Sequence, residues 1–169
     1  MPNAGRFGRL AWLWLSLLVF AADQASKLYV EDVLTLYQQV VVIPGYFSWT
    51  LAYNTGAAFS FLAGASGWQR WFFAAIALVV SVVLVIWLKR LKPEETWLAV
   101  ALALVLGGAL GNLVDRVLLG HVVDFILVHW QHRWYFPAFN IADAAITLGA
   151  ILLALDMFKS NKSGDLAHD

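Results

Sequence analysis

Six ionisable side chains lie inside or at the ends of apolar runs: Asp23, Lys27, Asp115, Arg116, Asp124 and Asp143. A charge at the bilayer centre costs at least about 2.5–3.5 kcal/mol on insertion scales, so such residues point to function by default. Asp124 and Asp143 are the acids of this set that have no obvious basic partner nearby in sequence. Two carboxyl groups brought together can share one proton, because like charges at short range do not readily both ionise. One member then acts as general base on water and the other as general acid. That is peptide hydrolysis by an aspartic dyad. A purely structural reading stays open at this level, in which each acid caps a helix or pairs with Arg116.

The other polar groups are spaced to support such a site. Asp23 and Lys27 are four residues apart, share a helix face and can pair. Asn112 precedes Asp115 by three and Arg116 by four, so it can neighbour either. Asp115 and Arg116 are adjacent and point about 100° apart on a helix. They cannot simply pair with each other, so one is expected to serve the site and the other to tie helices together. Asn140 precedes Asp143 by three, on the same face. Gly107, Gly108 and Gly111 lie just before Asn112, where small residues let helix backbones approach closely.

The elements that position these groups follow from composition. Of 169 residues, 62% are hydrophobic and 13% charged. A soluble domain carries roughly 45–50% apolar and about 25% charged residues, so this is a membrane protein. Net charge is zero, which leaves no electrostatic footprint for nucleic acid. With no cysteine, disulfides, thiolate nucleophiles and cysteine metal sites are excluded. A spanning helix needs roughly 20 apolar residues, and four segments qualify, at about 10–30, 71–88, 96–118 and 138–158. The first resembles a secretory leader, but its apolar pattern continues past Asp23 to Val30 and no A-x-A site precedes Asp23, so it reads as an uncleaved helix. The fold class is mainly α and polytopic, a single domain over 1–169 with four spans and a small β-sheet cradle on the outer surface. The β-rich part is expected at about 31–67. There Val40–Ile43 is β-branched, Pro44-Gly45 signals a turn, and Phe47–Tyr53 alternates with Phe47, Trp49, Leu51 and Tyr53 on one face. That face suits either the membrane interface or the helix ends. The aromatic stretch Val122–Phe139 also reads as interfacial, Pro137 fits the first turn of the fourth helix, and Ser160–Asp169 reads as a loose polar tail.

The motifs then become recognisable. Asp23-Gln24-Ala25-Ser26-Lys27 is similar to D-Q-x-[ST]-K, and Asn54-Thr55-Gly56-Ala57-Ala58-Phe59 to N-T-G-x-[AS]-[FW]. Gly107 to Arg116 is similar to G-G-x-x-G-N-x-x-D-R, and Val123-Asp124-Phe125 and Phe139-Asn140-Ile141-Ala142-Asp143 to two aspartate-bearing segments. Together, in this order, they resemble the lipoprotein signal peptidases, or signal peptidase II. The resemblance implies an aspartyl endopeptidase that cuts prolipoproteins just before a diacylglyceryl cysteine. Asp124 and Asp143 would be catalytic, and Asn54, Gly56, Asn112, Arg116 and Asn140 would line the site. Asp23, Lys27 and Asp115 would be structural polar residues. It further implies a bacterial inner membrane enzyme acting at the outer leaflet, open to membrane lipid, blocked by globomycin-like cyclic peptides, and using neither cofactor nor metal.

Three rival chemistries can be weighed on the residues. A Ser26–Lys27 dyad fails because adjacent helical residues do not face each other. A metalloprotease would draw on His121, His129 and His132, with His129 and His132 able to approach on a helix, but no H-E-x-x-H is present. A small transporter or proton relay using the intramembrane carboxylates would tend to show internal repeats and broken helices, and the sequence shows neither.

Orientation follows from the basic flanks: Arg6, Arg9, Lys89, Arg90, Lys92, Lys159 and Lys162, seven of eleven basic residues, fall on one side if there are four spans. The positive-inside rule puts that side and both termini in the cytoplasm. Single cysteines introduced at Ser66 and Ser160 test this with an impermeant thiol reagent on cells with a permeabilised outer envelope. Ser66→Cys should label and Ser160→Cys should not; the reverse pattern overturns the orientation.

Overall fold

The computed structural model describes residues 8–56 and 67–165, with side chains through 158. Arg6, the Ala57-Ala58-Phe59 end of the second motif and Ser66 lie outside the described residues. A 3-10 turn at Gly8–Trp12 leads into α1 (Leu13–Val33), and the chain continues through β1 (Gln39–Ile43), β2 (Phe47–Asn54), α2 (Trp68–Arg90), α3 (Thr96–Leu118), β3 (Val122–Trp130), β4 (Trp134–Tyr135) and α4 (Ile141–Asp165). Three of these helices, α2, α3 and α4 to Phe158, are long and apolar enough to cross a membrane. The third expected span matches α3 residue for residue, whereas α2 runs past both expected ends. α1 falls short of that apolar standard. Its polar run Asp23, Gln24, Ser26 and Lys27 dilutes it, and Glu31 and Asp32 follow.

α3 is the central helix, packing against α1, α2 and α4. Its side chains facing the bundle are small or slim: Ala99, Ala101, Ala103, Leu102 and Leu106 are all buried. In a membrane there is little hydrophobic drive between helices, so association rests on close van der Waals packing and interhelical hydrogen bonds. The expected glycine contacts are present. A β-carbon on Gly107 would stand 2.7 Å from the Ser16 carbonyl oxygen, one on Gly111 would stand 2.5 Å from Asp23 Oδ2, and one on Gly108 would collide with the Ala142 carbonyl oxygen. The Ser16 hydroxyl adds a bond to the Ala103 carbonyl at 2.8 Å.

The sheet has four antiparallel strands in the order β1-β2-β3-β4. Its first half is where β-branched residues and the Pro44-Gly45 turn place it. Its second half lies outside the β-rich segment expected at about 31–67. Residues 122–135 supply β3 and β4, with Ala52 opposite Asp124 and Asn54 opposite Val122. The alternation in β2 is also broken. A bulge between Trp49 and Ala52 shifts register, so Thr50 and Leu51 are both buried while Trp49 and Tyr53 stay exposed. Leu51 joins Val30, Val123 and Phe125 in a small core that seats the sheet on the end of α1.

The start of the fourth helix is corrected from about 138 to Ile141. Phe139 is held extended, exchanging backbone bonds with Ile126 at 2.8 and 3.1 Å. Asn140 then accepts the Asp143 N–H on its side chain at 2.8 Å, which is an N-cap. Pro137 therefore precedes the helix rather than opening it. At the far end α4 runs to Asp165, through much of what reads as a loose tail.

Close approach at Gly108 generates a test. Gly108→Ala has no open space to enter, because the obstacle is backbone. It should lower stability by about 1–3 kcal/mol, measured by unfolding in detergent. Stability equal to wild type would show that α3 and α4 can separate freely.

Candidate active site

Lys27 is the centre of the polar cluster. Its Nζ lies 2.7 Å from Asp23 Oδ2 and 2.8 Å from Asp115 Oδ2, and donates to Asn112 Oδ1 at 3.1 Å. Lys27 is 2% exposed, and its three partners are buried with it. An ammonium group has three donors and no acceptor, so each N–H has a partner. This decides how the Asn112 carboxamide faces. With Oδ1 on Lys27, its Nδ2 points the other way and donates to Asp143 Oδ1 at 2.7 Å.

Asn140 is fixed by the same logic. Its Oδ1 caps α4, so its Nδ2 turns to Asp124 Oδ1 at 2.8 Å, with the Val123 and Asn112 oxygens at 3.1 and 3.2 Å. Two carboxamides therefore bridge Asp143 to Asp124. Each carboxylate spends one oxygen on the bridge and keeps acceptor capacity on the other for water or a proton. The backbone is held in parallel. Asp23 Oδ1 accepts the N–H of Ala142, the residue before Asp143, at 2.9 Å. Asp115 Oδ2 accepts the N–H of Val123, the residue before Asp124, at 3.2 Å.

Asn54 arrives on the end of β2 and hydrogen-bonds Asp124. Its Oδ1 accepts the Gly56 N–H at 2.9 Å, which leaves the amide NH2 for the carboxylate. Gly56 has φ +92°, and a β-carbon there would meet the Phe73 ring at 2.6 Å, so two independent constraints require glycine. Arg116 lies over that same ring, 5.6 Å from its centroid, donates to the Asn112 carbonyl at 3.1 Å, and exerts its charge on Asp143, Asp124 and Asp115. Asp115 and Arg116 thus divide as their angular separation requires, Asp115 toward the helix tie and Arg116 toward the acids.

Two participants are given no role by the sequence reading. Gln24 donates to Asp115 Oδ1 at 2.8 Å and reaches Asp23 and the Gly111 carbonyl at 3.2 and 3.3 Å. A polar amide in an apolar helix was the available signal. Phe73, which floors Gly56 and Arg116, carries no signal that separates it from other aromatics of α2. His129 and His132 do not share a helix: one lies on β3 and the other in the turn after it, ring centroids 4.7 Å apart, with His129 Nε2 against the Ser48 hydroxyl at 3.2 Å. Among the described residues no group of three or more His, Asp or Glu is placed to hold a metal.

Asp124 is 2% exposed. Burial, and next the charge of Asp143, push its carboxyl up to about 7 against the opposing pull of Asn54, Lys27 and Asn140. A carboxyl that stays partly protonated at neutral pH beside a second carboxyl is suited to general acid work.

A family model described as "Signal peptidase (SPase) II" matches residues 15–159. A curated relative from Pseudomonas putida named lipoprotein signal peptidase is 77% identical over 171 residues and covers 100% of both chains. One of the same name from Pseudomonas aeruginosa is 73% identical over 168 residues, covering 99% of each. Among solved structures, one titled as a bacterial membrane enzyme determined by the in meso method at 2.3 Å superposes with a TM-score of 0.80 at 32% identity, covering 90% of each chain. A second, at 1.9 Å, gives 0.77 at 32% identity, covering 88% of this chain and 93% of that one.

The raised Asp124 has a consequence for stability. Its folded pKa lies above the unfolded value, so the native state holds the extra proton between about pH 4 and 7, and its destabilising effect grows as pH rises through that window. Asp124→Asn, which keeps shape and removes the charge, should therefore be more stable than wild type at pH 8 by at least about 1 kcal/mol, and the gain should shrink on acidification. A loss of stability at pH 8 would show that the carboxylate is not buried against a like charge.

Proposed function

The chain belongs to the signal peptidase II family, and from that premise we propose how its own residues carry the activity. It is an aspartyl endopeptidase and a multi-pass membrane protein. Its substrate class is the prolipoproteins, and the finer reading is that it cuts just before a cysteine already bearing diacylglycerol. Residues 1–169 form one peptidase domain. α1 is the fourth transmembrane helix, its Asp23 and Lys27 paired with each other and with Asp115 of α3 rather than presented to lipid.

The observation that carries this reading is the carboxamide bridge that orients Asp124 and Asp143. The pair holds one proton. Its ionised member takes a proton from water as the water oxygen adds to the carbonyl carbon before the cysteine, and the protonated member bonds the carbonyl oxygen. When the tetrahedral intermediate collapses, the C–N bond breaks and a proton passes to the cysteine amine. Asn54 and Arg116 face this space, and Gly56 keeps it open to a peptide backbone.

The enzyme sits in the bacterial inner membrane with both termini cytoplasmic and the site at the outer leaflet. Arg9 supports this arrangement, since it donates to the Lys92 carbonyl at 2.9 Å and gathers two of the basic clusters at the end of the bundle away from the acids. Membrane lipid surrounds the site, and a globomycin-like cyclic peptide presenting a polar group to the dyad should inhibit. The transporter reading is not favoured, because the acids converge on one depth.

Asp124→Asn and Asp143→Asn should each lower kcat by about a thousandfold or more, with insertion intact and activity insensitive to strong chelators. Near-normal turnover by either variant, or chelator inactivation reversed by zinc, would refute the dyad.

A further inference from the structure

Asp143 lines one end of an apolar groove. Phe136 to Phe139 roof it, and Asp143, Thr147, Leu148 and Ile151 of α4 floor it, enclosing about 530 Å³. From Asp143 to Ile151 the groove descends the helix by about 12 Å at 1.5 Å per residue, away from the sheet and into the span. Leu148 and Ile151 are each 51% exposed, with no part of the described chain covering them. A larger apolar groove of about 710 Å³ between α1 and α2 contains none of the site residues. The groove on α4 thus runs from a candidate catalytic residue to the hydrocarbon depth.

We propose that this groove holds an acyl chain of the lipid on the substrate cysteine. The inference rests on the functional reading above and deepens it. The cysteine is the residue just after the bond to be cut, so its lipid must leave the dyad within one side-chain length. The chains must then turn into the bilayer, and the groove starts at the dyad and runs that way. An extended hydrocarbon chain suits a groove lined by Phe136, Pro137, Phe139, Leu148 and Ile151. The lining agrees, because the Thr147 hydroxyl is bonded to the Asp143 carbonyl at 2.8 Å.

Steady-state kinetics on precursor peptides whose cysteine carries either two long (sixteen-carbon) or two short (four-carbon) acyl chains test this, for wild type and for Leu148→Trp and Ile151→Trp. Each buried methylene contributes roughly fourfold in affinity, so filling the groove should raise KM for the long-chain substrate about tenfold or more. It should leave kcat, and both constants for the short-chain substrate, near wild type. Equal effects on both substrates, or none on either, would overturn the proposal, and so would an effect that follows the length of the signal peptide's apolar segment. A long-chain precursor with a diazirine at the chain terminus adds a readout in the unaltered protein. Crosslinks should map to α4 near Leu148–Ile151, and crosslinks confined to α1 and α2 would overturn it. Failure of wild type to cleave either lipidated precursor would count against the functional reading itself.

Discussion

One ammonium group, on Lys27, is held at 2% exposure between two carboxylates and a carboxamide. Isolated charges at such depth are very costly, and a buried pair offsets that cost only when geometry and hydrogen bonding are complete. Here they are complete, and the completion has a use. Each acid paired with Lys27 spends a further lone pair on a backbone N–H, and that N–H belongs to the residue before Asp143 in one case and before Asp124 in the other. The third partner, Asn112, is turned so that its amide meets Asp143. The position of both acids and the rotation of the amide between them therefore depend on one charge. Breaking a buried pair by removing one partner typically costs about 3–5 kcal/mol, and here it would also release both strands of that support.

The rest of the architecture serves the same cluster. Lys27 reaches α3 because the glycines of α3 bring backbones close enough for it to do so, Gly111 lying against Asp23 itself. β3 leaves the end of α3 and carries Asp124 back across the helix ends, and β2 pairs with it so that Asn54 lands beside that acid. α4 starts one residue after Asn140, so one side chain both caps the helix and orients Asp124. Burial then shifts the titration of Asp124, because a carboxyl shielded from water and facing a like charge holds its proton to higher pH than a surface aspartate.

Much of this was legible in the residues. Charges in apolar runs located the cluster, and helical spacing paired Asp23 with Lys27 and set Asp115 and Arg116 to separate tasks. Three of the four expected spans, α2, α3 and α4, followed from apolar length alone, most accurately for α3. What was not legible was non-local. The strand character of Val122–Trp130 depends on pairing with β2 some seventy residues earlier, and its aromatics fit an interfacial loop equally well. The bulge in β2 that buries Thr50 beside Leu51 is a property of that pairing too. Phe139 looks helical until a strand claims its backbone, which moves the start of α4 to Ile141. The role of Asn140 as a cap, and of Gln24 as a brace, needed the partners in view.

Proton sharing by the two carboxyl groups can be observed directly. A pH titration by infrared difference spectroscopy on the membrane-embedded enzyme should show one protonated carboxyl band that disappears as pH rises through about 7. The band should be absent in Asp124→Asn, and it should titrate at lower pH in Asp143→Asn, where the like charge is gone. A wild-type spectrum with no protonated carboxyl at pH 6, or a titration unmoved by Asp143→Asn, would contradict a shared proton and with it the aspartic mechanism.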